Sequence, residues 1–98
     1  MTIDKVTTAE SLTAILNGRL DSMTSDSFSE WLKTNFTDDT KHLILDFSGI
    51  DFISSKGLRV LITVYKSLNG RTMEIINAND SVLEVFRLSG LLNIFTIK

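Results

Sequence analysis

The sequence lacks residue types on which whole classes of function depend. It contains no cysteine, which excludes disulfides, thiolate metal sites and cysteine nucleophiles. His42 is the only histidine, so paired-histidine zinc sites are excluded and a Ser/His/Asp triad has one possible base. The acidic residues form no recognisable catalytic pair, and no Gly-rich phosphate loop of the P-loop type is present. We therefore expect no catalytic residues, no metal and no cofactor.

Long hydrophobic runs and an excess of one charge are also missing. The apolar runs are a few residues long, whereas a helix that spans a bilayer needs roughly 20. Ten basic and twelve acidic side chains leave a formal charge of only −2, which argues against nucleic acid and anionic membranes as primary partners. These observations predict a soluble, cytoplasmic protein without direct membrane insertion.

The 98 residues contain no proline, repeat, low-complexity stretch or linker, so one domain from residue 1 to residue 98 is expected. "TIDKV" and "SLTAILNG" are rich in Ile, Val, Leu and Thr and predict a β-hairpin. Apolar residues at helical spacing predict a helix from Ser25 to Phe36, capped by Thr24 or Ser22, with Trp31 and Phe36 in the core. The run "HLILDF" predicts a strand covered on both faces, with exposed His42 at its start, and "SGID" then predicts a turn.

The second half of the chain continues the alternation of helices and strands. An apolar stripe predicts a helix from Lys56 to Leu68, which Asn69-Gly70 would end. "TMEIINA" predicts a strand, and "SVLEVFRLSG" predicts a helix with a Ser81 to Glu84 capping box. "NIFTI" predicts a last strand. The order ββαβαβαβ predicts an α/β fold with a mostly parallel sheet of four to five strands and three to four helices.

Two adjacent serines, Ser54 and Ser55, lie where the central strand leads into the second helix. Ligands and partners of parallel sheets are usually bound at the carboxyl ends of the strands, so this position is a candidate site. Either serine could cap the helix, and Ser55 is better placed because Lys56 and Gly57 then occupy the first turn. A phosphoserine is the alternative interpretation, because a helix N-terminus stabilises anions.

Three segments resemble the STAS domain, which is shared by bacterial anti-sigma factor antagonists and the cytoplasmic tails of sulphate transporters. "LILDFSGIDFISSKGLRVLITVYKSL" is similar to the family's apolar strand ending in Asp, its loop and the Ser-x-Gly-Leu that opens a helix. "LNGRLDSMTS" resembles the Gly-x-Leu-Asp element after the second strand, and "VLEVFRLSGLLNIF" resembles the third helix with its Ser-Gly-Leu turn. The resemblance covers nearly the whole chain.

The resemblance to the antagonist branch implies a partner-switching protein that is not itself an enzyme. The unphosphorylated form would bind an anti-sigma factor that is also a serine kinase. Phosphorylation would release it, and a PP2C-type phosphatase would reset the switch. The family's phosphoacceptor falls on Ser55, with Ser54 as the alternative, and the family's usual Asp and second Ser around it are replaced here by Ser54 and Lys56. The partner surface implied by the resemblance comprises Asp21, Ser22, Ser54, Ser55, Lys56, Gly57 and Arg59.

Other interpretations stay open at this point. The chain could be a STAS subunit that binds a membrane transporter or another regulatory complex constitutively. Asp46, at the end of a predicted strand, invites comparison with a phosphorelay acceptor, although the acidic pair that would hold Mg²⁺ is missing. Asp21 could simply cap the first helix or form a turn. On the second helix, Lys56, Arg59, Thr63 and Lys66 form either a solvated face or a docking stripe for an acidic partner.

Overall fold

The computed structural model describes all 98 residues and confirms the predicted order of strands and helices. Five strands form a single sheet, three α-helices connect them, and a short 3₁₀ turn at Leu91–Asn93 precedes the last strand. The elements are β1 Thr2–Thr7, β2 Ser11–Leu20, α1 Ser22–Asn35, β3 His42–Ile53, α2 Ser55–Lys66, β4 Thr72–Ile76, α3 Asp80–Leu88 and β5 Thr96–Ile97.

The strands follow one another across the sheet in the order of the sequence. β1 and β2 form the antiparallel hairpin, and all later neighbours are parallel. Right-handed crossovers between strands that advance in one direction place all connecting helices on the same face of the sheet. The molecule therefore has one layer of helices on one layer of strands.

The central strand β3 is covered on one face only. Leu43, Leu45 and Phe47 are buried beneath the helices, whereas Ile44 and Asp46 between them are partly exposed on the opposite face. The prediction of a strand covered on both faces was wrong, because the sheet has a single helical layer. His42 is exposed as predicted, and its Nδ1 lies 2.7 Å from the Thr72 hydroxyl.

The core lies between the sheet and the helices. Phe28 of α1, Phe47 of β3 and Phe86 of α3 are fully buried in it. Trp31 and Phe36 were predicted to be core residues, but both are only half-buried and pack against the edge of the core. The Phe36 ring is also in contact with a charged group, since the Arg71 guanidinium lies 4.1 Å from its centre.

The predicted turn "SGID" is part of β3, which continues to Ile53. The pairing of β3 with β2 shifts register twice, between Ile15 and Asn17 and between Gly18 and Arg19, and the strand continues through both shifts. Gly49 is required at the first shift, because a Cβ there would lie 1.9 Å from Asn17 Oδ1 and 2.8 Å from the Leu16 carbonyl oxygen. β2 and β3 consequently end side by side, with Leu20 opposite Ile53.

Two of the predicted helix caps are not used, namely Thr24 or Ser22 for α1 and Ser81 for α3, whereas Asp21, the other candidate for α1, is. α1 begins at Ser22, and its N-cap is Asp21, which forms a capping box with Thr24. α3 is capped by Asn79, whose side chain accepts a hydrogen bond from the Val82 backbone N–H at 2.9 Å, so the Ser81 to Glu84 box does not form. In each case a capping side chain slightly earlier in the chain occupies the position.

Candidate functional site

The ends of β2 and β3 bring the starts of α1 and α2 together. The Ser54 backbone N–H donates a hydrogen bond to the Leu20 carbonyl at 2.9 Å, which fixes the last residue before α2 against the last residue of β2. Asp21, the cap of α1, directly follows Leu20. Both helix N-termini therefore open at the same edge of the sheet, as is typical of sites at the carboxyl ends of parallel strands.

The two adjacent serines at this edge have different roles. Ser54 is the N-cap of α2: its backbone is extended (φ −90°, ψ 170°) and its Oγ accepts a hydrogen bond from the Gly57 N–H at 3.1 Å. Ser55 is the first residue of the helix and is exposed. The prediction that Ser55 is the better cap was wrong. Since Ser54 supplies the cap, the hydroxyl of Ser55 is free for other chemistry.

The start of α2 is suited to an anion. The Gly57 N–H is bound by Ser54 Oγ and the Leu58 N–H by the Ser54 carbonyl, which leaves the N–H groups of Ser55 and Lys56 without a protein acceptor. The cap itself is a neutral hydroxyl, so no carboxylate cancels the partial positive charge of the helix end. A negative group on the Ser55 side chain would lie directly beside these donors.

Asp21 caps α1 with a carboxylate, in contrast to the neutral Ser54 hydroxyl that caps α2. Its carboxylate accepts hydrogen bonds from the backbone N–H groups of Met23 at 3.1 Å and Thr24 at 3.0 Å, and from the Thr24 hydroxyl at 3.0 Å. The bonds from Thr24 are the main cause that lowers the pKa of Asp21 below its ordinary value of 3.8. The interpretation of Asp21 as a cap is confirmed; a contact with a partner remains a prediction.

We expect this carboxylate to make stability depend on pH. Because the folded pKa of Asp21 is depressed, its contribution is present above the ordinary value of 3.8 and is lost as pH falls through the folded pKa. Asn is also a good N-cap but does not titrate, so Asp21→Asn is the matched control. Thermal melts between about pH 5 and pH 2 should show a steeper fall in Tm for wild type than for Asp21→Asn. Parallel curves for the two proteins would contradict this role.

Two cations lie near the serines on the first turns of α2. Lys56 reaches across to α1, where its Nζ is 2.9 Å from Asp26 Oδ2. Arg59, one turn later, is exposed and forms no ion pair. Ser22, the first residue of α1, is exposed as well. All seven residues of the predicted partner surface thus lie at the N-caps or in the first two turns of α1 and α2.

Gly57 differs from the other members of this set because it is buried. A Cβ at this position would lie 2.9 Å from the Leu20 carbonyl oxygen and 3.0 Å from side-chain carbons of both Leu20 and Ile53. The first turn of α2 can therefore pack directly against the ends of β2 and β3 only without a side chain here. Gly57 positions Ser55 but offers no surface to a partner.

Two exposed hydrophobic residues near the serines were missed by sequence reasoning. The Phe52 side chain is 40% exposed, and the Arg19 guanidinium lies 4.3 Å from the centre of its ring. Met23, in the first turn of α1, is 83% exposed. Exposed large apolar side chains beside polar groups are typical of protein interfaces. The alternation of exposed Phe52 with buried Ile53 was a usable signal, but it was obscured by the prediction of a turn at "SGID".

Asp46 is separate from this site and lies on the sheet face without helices. Partial burial would raise the pKa of its carboxyl, but hydrogen bonds from the Ser48 N–H at 2.9 Å and the Asn77 side chain at 3.3 Å outweigh this effect and lower it. No group of three or more His, Cys, Asp or Glu side chains is arranged to hold a metal ion. The geometry therefore gives no support to a Mg²⁺-dependent phosphoacceptor at Asp46.

The architecture is a small α/β domain with one layer of helices on a five-stranded sheet, and two helix N-termini open at one edge of that sheet. The STAS domain family matches residues 2–98, and the chain belongs to this family. No helix has the length and apolar character required to cross a membrane.

Individual relatives agree with this assignment. The chain is 32% identical to BtrV of Bordetella bronchiseptica, which is named as a candidate anti-sigma factor antagonist, over 99% of this chain and 84% of that one. Among solved structures, it resembles the anti-sigma factor antagonist SpoIIAA in its unphosphorylated form with a TM-score of 0.84, 21% identity and coverage of 99% and 88% of the two chains. For phosphorylated Bacillus SpoIIAA, the TM-score is 0.76 at 20% identity, with coverage of 99% and 91%.

Proposed function

We propose that this protein is an anti-sigma factor antagonist that acts by partner switching. With Ser55 unphosphorylated, the surface around the starts of α1 and α2 binds an anti-sigma factor that is also a serine kinase. Phosphorylation of Ser55 releases the complex, and a PP2C-type phosphatase restores the unmodified form. The observation that carries this proposal is that Ser55 is exposed at a helix N-terminus while its neighbour Ser54 supplies the cap.

The chemistry at Ser55 supports a stable phosphorylated form. A phosphoserine carries a charge of about −1.5 to −2 at neutral pH. The free N–H groups at the start of α2 and the Lys56 ammonium are available to stabilise that charge. Lys56 would then be shared between the phosphate and Asp26, its present partner.

The relatives support the same proposal from a different direction. BtrV is named for antagonism of an anti-sigma factor, and SpoIIAA has been solved in both unphosphorylated and phosphorylated forms. The exposed Phe52 and Met23 would add apolar contact area to the polar groups around Ser55.

Phosphorylation should occur on Ser55 and not on Ser54. The experiment incubates the protein with ATP and the anti-sigma factor kinase of the same cell, followed by mass spectrometry of the intact protein and its peptides. Ser54→Asn preserves a capping side chain while removing the hydroxyl, so it should accept one phosphate as wild type does. Ser55→Ala should accept none. Two results would show that Ser54 is the acceptor instead. One is a phosphate found on Ser54 in the wild-type protein, and the other is a Ser54→Asn variant that has the wild-type melting temperature but accepts no phosphate.

A further inference from the structure

A groove of about 380 Å³ lies between α1 and α2 and extends well beyond the surface around Ser55. The two helices run in the same direction, since Lys56 pairs with Asp26 near their starts and Arg71 lies over Phe36 just past their ends. The floor of the groove consists of Leu32 of α1, Phe36 directly after this helix, and Val60 and Val64 of α2. Phe36 and Val60 are only half-buried, so part of this apolar floor is exposed.

The charge along the groove has a single sign. Four basic residues line it, namely Lys33, Lys56, Arg59 and Arg71, and no acidic residue does. Lys33 and Lys56 are paired with carboxylates of α1 just outside the lining, Glu30 and Asp26. Arg59 and Arg71 have no carboxylate partner anywhere in the chain. These two guanidinium groups give the groove its uncompensated positive charge.

The side chains of Arg59 and Arg71 differ in how firmly hydrogen bonds hold them in place. Arg71 is held by hydrogen bonds from Nε to the Leu68 carbonyl and from its two terminal nitrogens to the carbonyls of Thr37 and Ser67, while its guanidinium lies 4.1 Å from the centre of the Phe36 ring. A guanidinium has five N–H donors, so two remain free. Arg59 forms no side-chain hydrogen bond and can adapt to a ligand.

The distance between these two cations limits what the groove can hold. Arg59 lies in the second turn of α2, and Arg71 is fixed to carbonyls eight or nine residues further along. At a rise of about 1.5 Å per residue, the two charges are about 12 Å apart along the helix axis, with Val60 and Val64 between them. The groove therefore presents cation, apolar floor and cation in succession.

We propose that this groove docks an acidic amphipathic segment of a partner protein, with one carboxylate on Arg59, another near Arg71 and an apolar side chain between them. A partner helix with acidic residues at i and i+8 and an apolar residue at i+4 reproduces the spacing of about 12 Å on one face. A single-headed amphiphile, such as a fatty acid, would satisfy only one of the two guanidinium groups. Ser55 lies one turn before Arg59 on the same helix, so a phosphate there would compete with the partner carboxylate for this guanidinium, and the test uses the unphosphorylated protein.

The test uses the full-length protein and a peptide of defined design. A capped, alanine-based helical peptide carries Glu at i and i+8 and Leu at i+4, and a control peptide of the same composition has Leu moved two positions, to the opposite face. Addition of the first peptide, up to about 1 mM, to isotope-labelled protein should shift the backbone amide signals of Ser29, Val60 and Val64. The control peptide should bind at least about fivefold more weakly, because its Leu faces solvent.

A pair of charge reversals on α2 tests the assignment to the groove. Arg59→Glu replaces an attraction by a repulsion and should weaken binding at least about fivefold. Lys66→Glu is the matched control, because Lys66 is exposed on the same helix but does not line the groove, and it should change binding less than about twofold. Both variants should keep the wild-type melting temperature within a few degrees.

Three results would overturn the proposal. The first is the absence of any shift in the groove at about 1 mM peptide, because two charge pairs and a buried Leu together should exceed the roughly 4 kcal/mol of binding free energy that this concentration detects. The second is equal weakening by Arg59→Glu and Lys66→Glu, which would show attraction to the whole charged surface. The third is that laurate, below its micelle concentration, shifts the groove amides while the peptide does not, which would identify a small amphiphile as the occupant.

Discussion

Ser55→Asp should bind the anti-sigma factor at least several-fold more weakly than wild type, while Ser55→Ala should bind as tightly and resist release by the kinase. A partner surface that complements Lys56 and Arg59 carries carboxylates. At an effective dielectric of about 20, a new negative charge about 6 Å from one of them costs on the order of 3 kcal/mol before screening. Half of that cost already corresponds to about tenfold in affinity. Calorimetric titration of the purified partner with each variant measures the effect.

The fold should be unaffected by these substitutions. An unchanged melting temperature would show that weaker binding comes from the altered interface and not from unfolding. Asp at the first position of a helix interacts favourably with its N-terminus, so Ser55→Asp should melt within a few degrees of wild type. Thr34→Asp adds the same charge to an exposed position in the last turn of α1, about 18 Å along the helix axis from Ser22, and should leave the affinity unchanged. Equal binding by Ser55→Asp and Ser55→Ala would instead indicate a constitutive complex, as in the transporter-associated alternative.

Gly57→Ala should be the most damaging small substitution in the site. The added methyl group would lie 2.9 Å from the Leu20 carbonyl oxygen, a backbone atom that cannot move without disturbing the end of β2. Overpacking of this kind costs about 1–3 kcal/mol, and the gain in helix propensity from Gly to Ala offsets at most about 1 kcal/mol. For a domain of this size, each kcal/mol lowers Tm by about 4–8 °C.

Ser55→Ala is the matched control for this substitution, since it adds no atom and changes an exposed position two residues away in the same turn. We expect its Tm within a few degrees of wild type, whereas Gly57→Ala should melt about 5 °C or more lower. Gly57→Ala should also bind the partner more weakly, because relief of the clash moves the start of α2 and Ser55 with it. A melting temperature at or above that of wild type would show that the packing around Leu20 relaxes freely.

The groove between α1 and α2 shares residues with the surface around Ser55 and with the predicted polar stripe of α2. Lys56 belongs both to the surface around Ser55 and to the lining of the groove. Of the four residues in the predicted polar stripe of α2, Lys56, Arg59 and Thr63 line the groove and Lys66 does not. The proposed docking surface therefore includes only the flank of α2 that faces α1, and not the whole polar stripe.

The sequence by itself determined the order of the elements and the position of Ser55 at the start of α2. Hydrophobic periodicity and capping residues act over a few neighbouring positions, and they are strong in β2, α2 and β4, whose predicted limits lie within about two residues of those observed. The resemblance of "SSKGL" to a family motif then identified Ser55 as the residue of interest. These features were predictable because each depends on local chemistry.

Only the tertiary structure decided which serine caps α2, where β3 ends and what lines the groove. An N-cap requires an extended backbone, and Ser54 is held in that conformation by its hydrogen bond to Leu20, a residue distant in the sequence. β3 continues through "SGID" because Gly49 allows the register against β2 to shift, and that pairing exposes Phe52 beside Arg19. Arg59 and Arg71 flank one groove because two parallel crossovers place α1 against α2. Each of these outcomes depends on contacts between distant segments, which local patterns do not encode.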